Sequence, residues 1–517
     1  MRIIFYSIYA FLEHHFNIEL EIIKKNLDQG NEVYVVKCGM VLDCCMWNVI
    51  HDPEACAYCQ SRAFEGFKTA GVKDDHLLNL KKNKAAYKVK LPFFHTSEEL
   101  KEFTFDCTDI GMGVFSSLVS QKRDIDINSK NEKERIEKSC RMAINVHLNF
   151  LELIQTIKPD AIYFFNGRLA EIRPLIKLAE RFKIPFYNYE LAPGTYSKYI
   201  LLENTNIHDQ KYYHNKILEF WENCKLTDKE SEGMKWFTHR RNRINQDGPV
   251  FILNQSKNKL PTNFNSGKRN IAIFNHSDDE FAASDGWKIP LFNDQNDAIR
   301  KIVKYFSFNN TIHFYLRMHP NLTKVKNAKV RELLNLNYKN ITVIKPEDDI
   351  DTYALLDACD KIITFGSTVG VEATAWNKPS VFLGMSLYMD LDCTYIPNTI
   401  ENVFELIEND LKPKDKLGAL KYGFWVEHYG IDFIYYKAKG PEEGTFMGKK
   451  IELDPVMKKY DNLKVLIHKN WWGKSYRFMN KILFIPNILR RAEFYRLFFK
   501  ICYNLSHTSF IKTKETI

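Results

Sequence analysis

Short β-branched and aromatic runs alternate with helix-period segments along this 517-residue chain. The pattern occurs twice, with a polar stretch between, and it limits the possible folds more than any other feature. In the first half, Ile3–Ser7 is an apolar run of strand length. Ile18–Leu27 has helical periodicity and stops at Gln29-Gly30, and Glu32–Val36 is a second β-branched run. Residues from Cys38 to about Arg123 are less regular and read as an insertion. Regularity returns with a long helical segment, Glu132–Ile157, that stops at Lys158-Pro159. A strand at Ala161–Phe165, a helix at Arg173–Phe182 and a strand at Pro185–Tyr189 follow. Strands separated by helices predict parallel sheets with right-handed crossovers.

The stretch Asn242–Gly267, rich in Asn, Gln, Lys and Pro, reads as a linker. After it the alternation restarts, with strands at Asn270–Phe274, Ile312–Leu316, Ile341–Ile344, Lys361–Phe365 and Ser380–Leu383. Helices are predicted between them at Asp294–Tyr305, Asp351–Ala358 and Val369–Trp376. The fold class expected is α/β, with two Rossmann-like domains, a Cys-rich insertion in the first and a helical C-terminal tail. The expected divisions are 1–241, with the insertion at about 38–123, a linker at 242–267, a second domain at 268–440 and a tail at 441–517.

Composition removes several classes. A 45% hydrophobic content excludes a chain disordered throughout, and 22 Gly and 17 Pro exclude collagen-like or low-complexity sequence. Eleven cysteines are too few for a disulfide-stapled scaffold of this length. The net charge of +9 is concentrated at the end: from Lys474 onward nine Lys/Arg stand against two acids, a local +7 that leaves +2 for the rest. A nearly neutral body argues against a phosphate-tracking groove, so no nucleic-acid partner is expected. Arg2 before an apolar run imitates a signal peptide, but Glu13, His14 and His15 close the run early with no small-residue cleavage site. No run of 18 apolar residues occurs, so the expected location is the cytoplasm. The tail, where Tyr476–Phe499 mixes aromatics with five Lys/Arg around Pro486, suggests peripheral contact with an anionic inner-membrane surface, or packing onto the first domain.

In doubly wound sheets ligands bind at the carboxyl ends of strands. Three such ends in the second half carry suitable residues: Asn275-His276-Ser277-Asp278-Asp279-Glu280, Arg317-Met318-His319-Pro320, and Gly366-Ser367-Thr368-Val369-Gly370-Val371-Glu372. Gly366 permits a tight turn, Ser367 and Thr368 can cap the next helix, and the helix start suits a phosphate. Glu372 is placed to accept from ribose hydroxyls, with Ser277, Glu280 and Gly370 as further donor-binding candidates. Arg317 and His319 are expected to stabilise the charge of a diphosphate leaving group. The plainer alternative is a capped, closely packed helix and an ordinary loop.

The segment Gly366–Pro379, GSTVGVEATAWNKP, resembles the nucleotide-sugar half of GT-B glycosyltransferases. Arg317-Met318-His319-Pro320 resembles the Arg-x-His-Pro element of capsule and surface-polysaccharide transferases. The resemblance is dense over about Asn270–Gly384 and thinner in the first half, where Ser7-Ile8-Tyr9-Ala10 replaces a Gly-rich loop. It implies a glycosyltransferase that moves a sugar from a nucleotide-sugar donor to a capsule or lipopolysaccharide acceptor, a glycan or lipid-linked glycan. The alternatives are a nucleotide-sugar epimerase of the same fold and a non-catalytic assembly protein. No catalytic metal is expected, because the cationic groups named above can balance the diphosphate and no Asp-x-Asp stands at a strand end of the first domain; the triplet Asp124-Ile125-Asp126 falls in a polar loop.

Two features of the first half remain. Glu190 closes the strand Phe186–Tyr189 and is the candidate base for the acceptor hydroxyl, with Asp279 and Glu280 behind it. The competing reading pairs it with Arg168. Cys38, Cys44 (or Cys45), Cys56 and Cys59 fall within 22 residues, and Cys56-Ala57-Tyr58-Cys59 forms a C-x2-C knuckle. Four thiolates, or three with His51, suggest a structural zinc; buried free thiols are the alternative.

Overall fold

The computed structural model describes residues 1–49, 53–244, 251–281, 289–440 and 443–451. The linker residues 245–250 and the tail from 452, with its expected helices, lie outside them.

The strands of the first half are β1 (Arg2–Ser7), β2 (Glu32–Lys37), β3 (Leu77–Asn79), β4 (Ala161–Phe165), β5 (Phe186–Leu191) and β6 (Lys198–Glu203). Those of the second are β7 (Arg269–Phe274), β8 (Ile312–Arg317), β9 (Ile341–Ile344), β10 (Lys361–Thr364) and β11 (Ser380–Phe382). Three short C-terminal strands follow: β12 (Ile431–Asp432), β13 (Tyr436–Gly440) and β14 (Glu443–Phe446). The first sheet runs β12-β6-β5-β4-β1-β2-β3, with β1 to β5 parallel and β6 antiparallel to β5. The second runs β11-β10-β7-β8-β9 and is wholly parallel. Central β1 is buried on both faces along Ile3, Ile4, Phe5 and Tyr6, which is why it reads as a continuous apolar run and not an alternating one.

The region read as an insertion is built into the first domain. It supplies the edge strand β3, the helix Pro53–Ala70 against the helix Glu13–Asp28, and the helix Ile110–Lys122. The chain also returns after the second sheet. β12 adds to the edge of β6, and the β13–β14 hairpin packs on the helix Glu13–Asp28. Buried Glu21 explains the docking, because its carboxylate accepts from the N–H groups of Ile434, Tyr435 and Tyr436 at 2.8, 2.8 and 2.9 Å.

The halves share one apolar cluster. It joins Ala192, Ile200 and Tyr213 of the first to Val371, Phe382 and Tyr388 of the second. Two helices, Lys229–Arg241 and Leu417–His428, cross beside it with glycine on both sides. A Cβ on Gly233 would fall 2.3 Å from the Leu420 carbonyl oxygen, and one on Gly423 would fall 2.3 Å from that of Gly233. Only glycine allows so close an approach. None of the described helices is long and apolar enough to cross a membrane.

Candidate active site

At the carboxyl ends of β1 and β5 the structure forms a pair that the sequence did not suggest. His15, in the first turn of the helix following β1, lies with Nδ1 3.4 Å from Glu190 Oε1. Its ring rests on Phe165 at the end of β4, with centroids 4.2 Å apart. Burial lowers the imidazole pKa below its usual 6.5, and Glu190 opposes that shift. The ring is therefore neutral near pH 7, as a general base requires. Glu190 Oε1 also accepts from the Leu191 N–H at 3.0 Å. Arg168 Nη1 donates to the hydroxyls of Ser116 (3.1 Å) and Ser120 (2.8 Å). The signal for His15 was available in the sequence, as a histidine just past the first strand. His14-His15 there served only to end a supposed leader.

The three strand ends of the second half do converge, but several residues have other work than expected. Arg317 is buried at 2% exposure, and its guanidinium donates to the carbonyls of Lys345 (2.5 Å) and Asp348 (3.0 Å), fastening the loop after β9. Burial pulls its pKa down to about 10, which still leaves it charged. His319 Nδ1 accepts from the Asn321 N–H at 3.1 Å, and the His319 backbone N–H donates to Asn275 Oδ1 at 2.8 Å. Burial, with Arg317 and Arg123 nearby, lowers His319 to about 4, so it is a neutral group and not a cation. His276 is likewise pushed to about 4 by burial and by His319. Its Nε2 lies 3.4 Å from Asp278 Oδ1.

Gly366 does not adopt a left-handed φ; its missing Cβ leaves room beside the His276 ring and the Met385 carbonyl. Ser367 Oγ accepts weakly from the Val369 N–H at 3.3 Å, whereas Thr368 makes no cap. Thr368 Oγ1 instead donates to Glu372 Oε1 at 2.9 Å. Glu372 is 1% exposed and also takes the Tyr353 hydroxyl, with Arg240 Nε 3.3 Å away. Its oxygens are spent on fixing its helix. Gly370 packs where a Cβ would come within 2.5 Å of the Thr364 and Tyr388 hydroxyls. Glu280 belongs to the short helix Asp278–Phe281, but its side chain lies outside the described residues.

One residue of the first half reaches into this group. Arg123, in the left-handed conformation (φ 53°) at the end of the helix Ile110–Lys122, donates through Nη2 to Ser277 Oγ (3.0 Å) and through Nη1 to the Asn321 carbonyl (2.9 Å). Its Nε pairs with Asp279 at 3.0 Å, and its own carbonyl accepts from Asn327 Nδ2 at 2.9 Å. Ser277 and Asp279 thus hold a cation supplied across the cleft. Arg123 had been read only as the last residue of an insertion.

The cysteines form a cluster in part. Cys38, Cys45, Cys56 and Cys59 line one small apolar cavity, while Cys44 faces a separate cavity near Ser139. Among the described residues no three His, Cys, Asp or Glu side chains are placed to hold a metal ion. The thiols have other partners: Cys38 Sγ accepts from Gln60 Nε2 (3.3 Å), Cys56 Sγ from Asn48 Nδ2 (3.2 Å), and the Cys59 thiol donates to the Ile8 carbonyl (3.8 Å). Burial raises the Cys38 and Cys59 pKa values to about 12, which keeps both as thiols. The alternative fourth ligand, His51, is outside the described residues.

The architecture is thus a pair of α/β sheets, one largely and one wholly parallel, whose strand ends meet across a cleft. Residues 288–401, which include β8 to β11, match the family of capsule polysaccharide biosynthesis proteins. No curated protein matches the sequence. Among solved structures the chain is similar to the KpsC β-Kdo 2,4 transferase of Thermosulfurimonas dismutans. That match has 14% identity, 51% of this chain, 78% of that one and a TM-score of 0.34. It is also similar to the UDP-GlcNAc 2-epimerase of Methanocaldococcus jannaschii, at 11% identity, 82% and 98% coverage and a TM-score of 0.24. The calicheamicin glycosyltransferase CalG4 gives 12% identity, 82% and 92% coverage and a TM-score of 0.26. At these values the likenesses add nothing to the strand order, which defines the architecture by itself.

Proposed function

We propose that the chain is a glycosyltransferase of capsule-type polysaccharide synthesis, moving a sugar from a nucleotide-sugar to a glycan acceptor. The observation that carries this reading is the position of the capsule-family match, which spans the strand ends bearing Arg317, His319 and Gly366–Glu372. In the reaction, His15 Nε2 takes the acceptor hydroxyl proton as that oxygen bonds to the anomeric carbon. The bond from the anomeric carbon to the diphosphate oxygen breaks, and the nucleotide diphosphate leaves. Glu190 orients His15 through Nδ1 and stabilises the imidazolium as it forms. This replaces Glu190 itself as the base. On the donor side Arg123 supplies the charge that the leaving diphosphate needs, with His276 and His319 as neutral donors. A fixed guanidinium in that place makes transfer independent of an added metal, so chelator leaves the rate unchanged.

A thermal-shift panel of UDP, CMP, GDP, CDP and their sugars tests donor binding. One nucleotide and its sugar should raise the melting temperature of the full chain by several degrees at a concentration far above Kd. If none of them does, the reading is wrong.

A further inference from the structure

One polar cavity of the first half has no part in the chemistry above. It is about 410 Å³ and lies between the loop 43–49 and the helices Ile110–Lys122 and Lys133–Ile157, with Glu171 in its wall. That volume falls within the range of small-ligand sites.

Two relations tie it to the proposed centre. Glu171 acts electrostatically on Tyr9, Tyr9 packs edge-on against Phe165 (6.0 Å), and Phe165 carries the His15 ring. On the other side, Ser117 and Gln121 of the cavity wall belong to the helix that ends in Arg123.

Its charge is specific. Asp43, Glu132, Glu134 and Glu171 line it, against only Arg135 and Lys138. Lys138 is paired with Glu134 at 2.6 Å, and Arg135 is bonded to Gln121 with Glu132 3.8 Å away. Asp43 is paired with Lys82 at 3.3 Å and Glu132 with Lys122, both cations standing outside the lining. Glu171 is buried, with Oε1 accepting from the Met46 N–H at 2.7 Å and Oε2 from Ser117 Oγ at 3.5 Å. An entering anion would find no cation of the lining left to pair with and would face the buried Glu171, whose partners are a backbone N–H and a hydroxyl, whereas hydroxyl groups would find acceptors on the wall and the apolar side chains of Met46, Val49 and Met142 beside them.

We infer that this cavity is a subsite for one uncharged, polyhydroxylated sugar unit of the acceptor, and that it selects against uronic or phosphorylated sugars. The inference rests on the transferase reading for the ligand's role, but sugar binding here requires no nucleotide.

The test is saturation-transfer NMR on the full chain without nucleotide, with neutral methyl hexosides and methyl N-acetylhexosaminides as probes and methyl hexuronides as their charged counterparts. At least one neutral glycoside should bind, and the matching uronide at least tenfold more weakly. Ser139→Trp, which fills the cavity, should abolish binding, and Ser139→Leu serves the same purpose where the larger change prevents folding. Both variants should keep any nucleotide stabilisation seen in the unaltered chain. The inference is overturned if no neutral glycoside binds, if the uronide binds as well, or if the filled variant binds unchanged. Loss of nucleotide stabilisation in the unaltered chain would instead sink the transferase reading, so the two failures are distinct.

Discussion

At the scale of single residues, the reading depends on His15. Its Nδ1 lies beside Glu190 and its ring on Phe165, and burial holds its pKa below 6.5. The neutral form is the active one, so turnover should be flat above neutrality and fall as the pH drops through that lowered pKa. The sign follows from the cause: protonation in the acid range removes the lone pair that accepts the acceptor's proton. His15→Ala should reduce kcat by about 10²–10⁴-fold with little change in donor KM. Glu190→Gln should lose less and should move the acid limb to lower pH, because Glu190 is the group that raises the His15 pKa. A pH–rate profile of the two variants against the parent decides this. An unmoved acid limb in Glu190→Gln would leave Glu190 as no more than a structural acid.

At the scale of elements, the helix after β10 shows how tightly the second sheet is set. Gly370 faces the Thr364 and Tyr388 hydroxyls, and Tyr388 in turn donates to the Ser367 carbonyl at 2.5 Å. Gly370→Ala should therefore cost about 1–3 kcal/mol by overpacking. Gly366→Ala should be nearly neutral for stability, because its nearest neighbour would stand 3.4 Å from the new Cβ. Paired melting curves check both; equal losses would mean that the packing argument fails. The same elements show what the sequence made legible. Buried parallel strands such as β1, β4, β7 and β10 announce themselves as apolar runs, and the crossover helices as amphipathic periods. The antiparallel β6, the edge strand β3 and the returning β12–β14 had no such signal. β6 folds back locally on β5, whereas the returning strands are held by distant partners, as Glu21 holds the hairpin across more than 400 residues. The site was legible in outline for a related reason. Strand ends could be found, but Arg317 and Glu372 spend their polar groups on neighbouring backbone and side chains that only the folded chain brings near.

For the whole molecule, the two halves are joined by the shared cluster around Tyr213 and Tyr388, by the glycine crossing of two helices, and by Arg123. The first two are close-packed, whereas Arg123 is a polar contact, paired with Asp279, that the proposed anionic donor would take over. On the proposed reading the first half brings the neutral base and a subsite for an uncharged acceptor sugar, and the second brings the strand ends for the donor. A division of this kind is useful only if both substrates are consumed together. The decisive measurement is therefore product analysis by mass spectrometry. The full chain would be incubated with the nucleotide-sugar that stabilises it, with and without oligosaccharides prepared from bacterial capsule. The account predicts that the oligosaccharide gains one glycosyl residue for each nucleotide released, and that omission of the oligosaccharide nearly stops nucleotide release. Conversion of the nucleotide-sugar to an epimer, at a rate indifferent to the oligosaccharide, would contradict it.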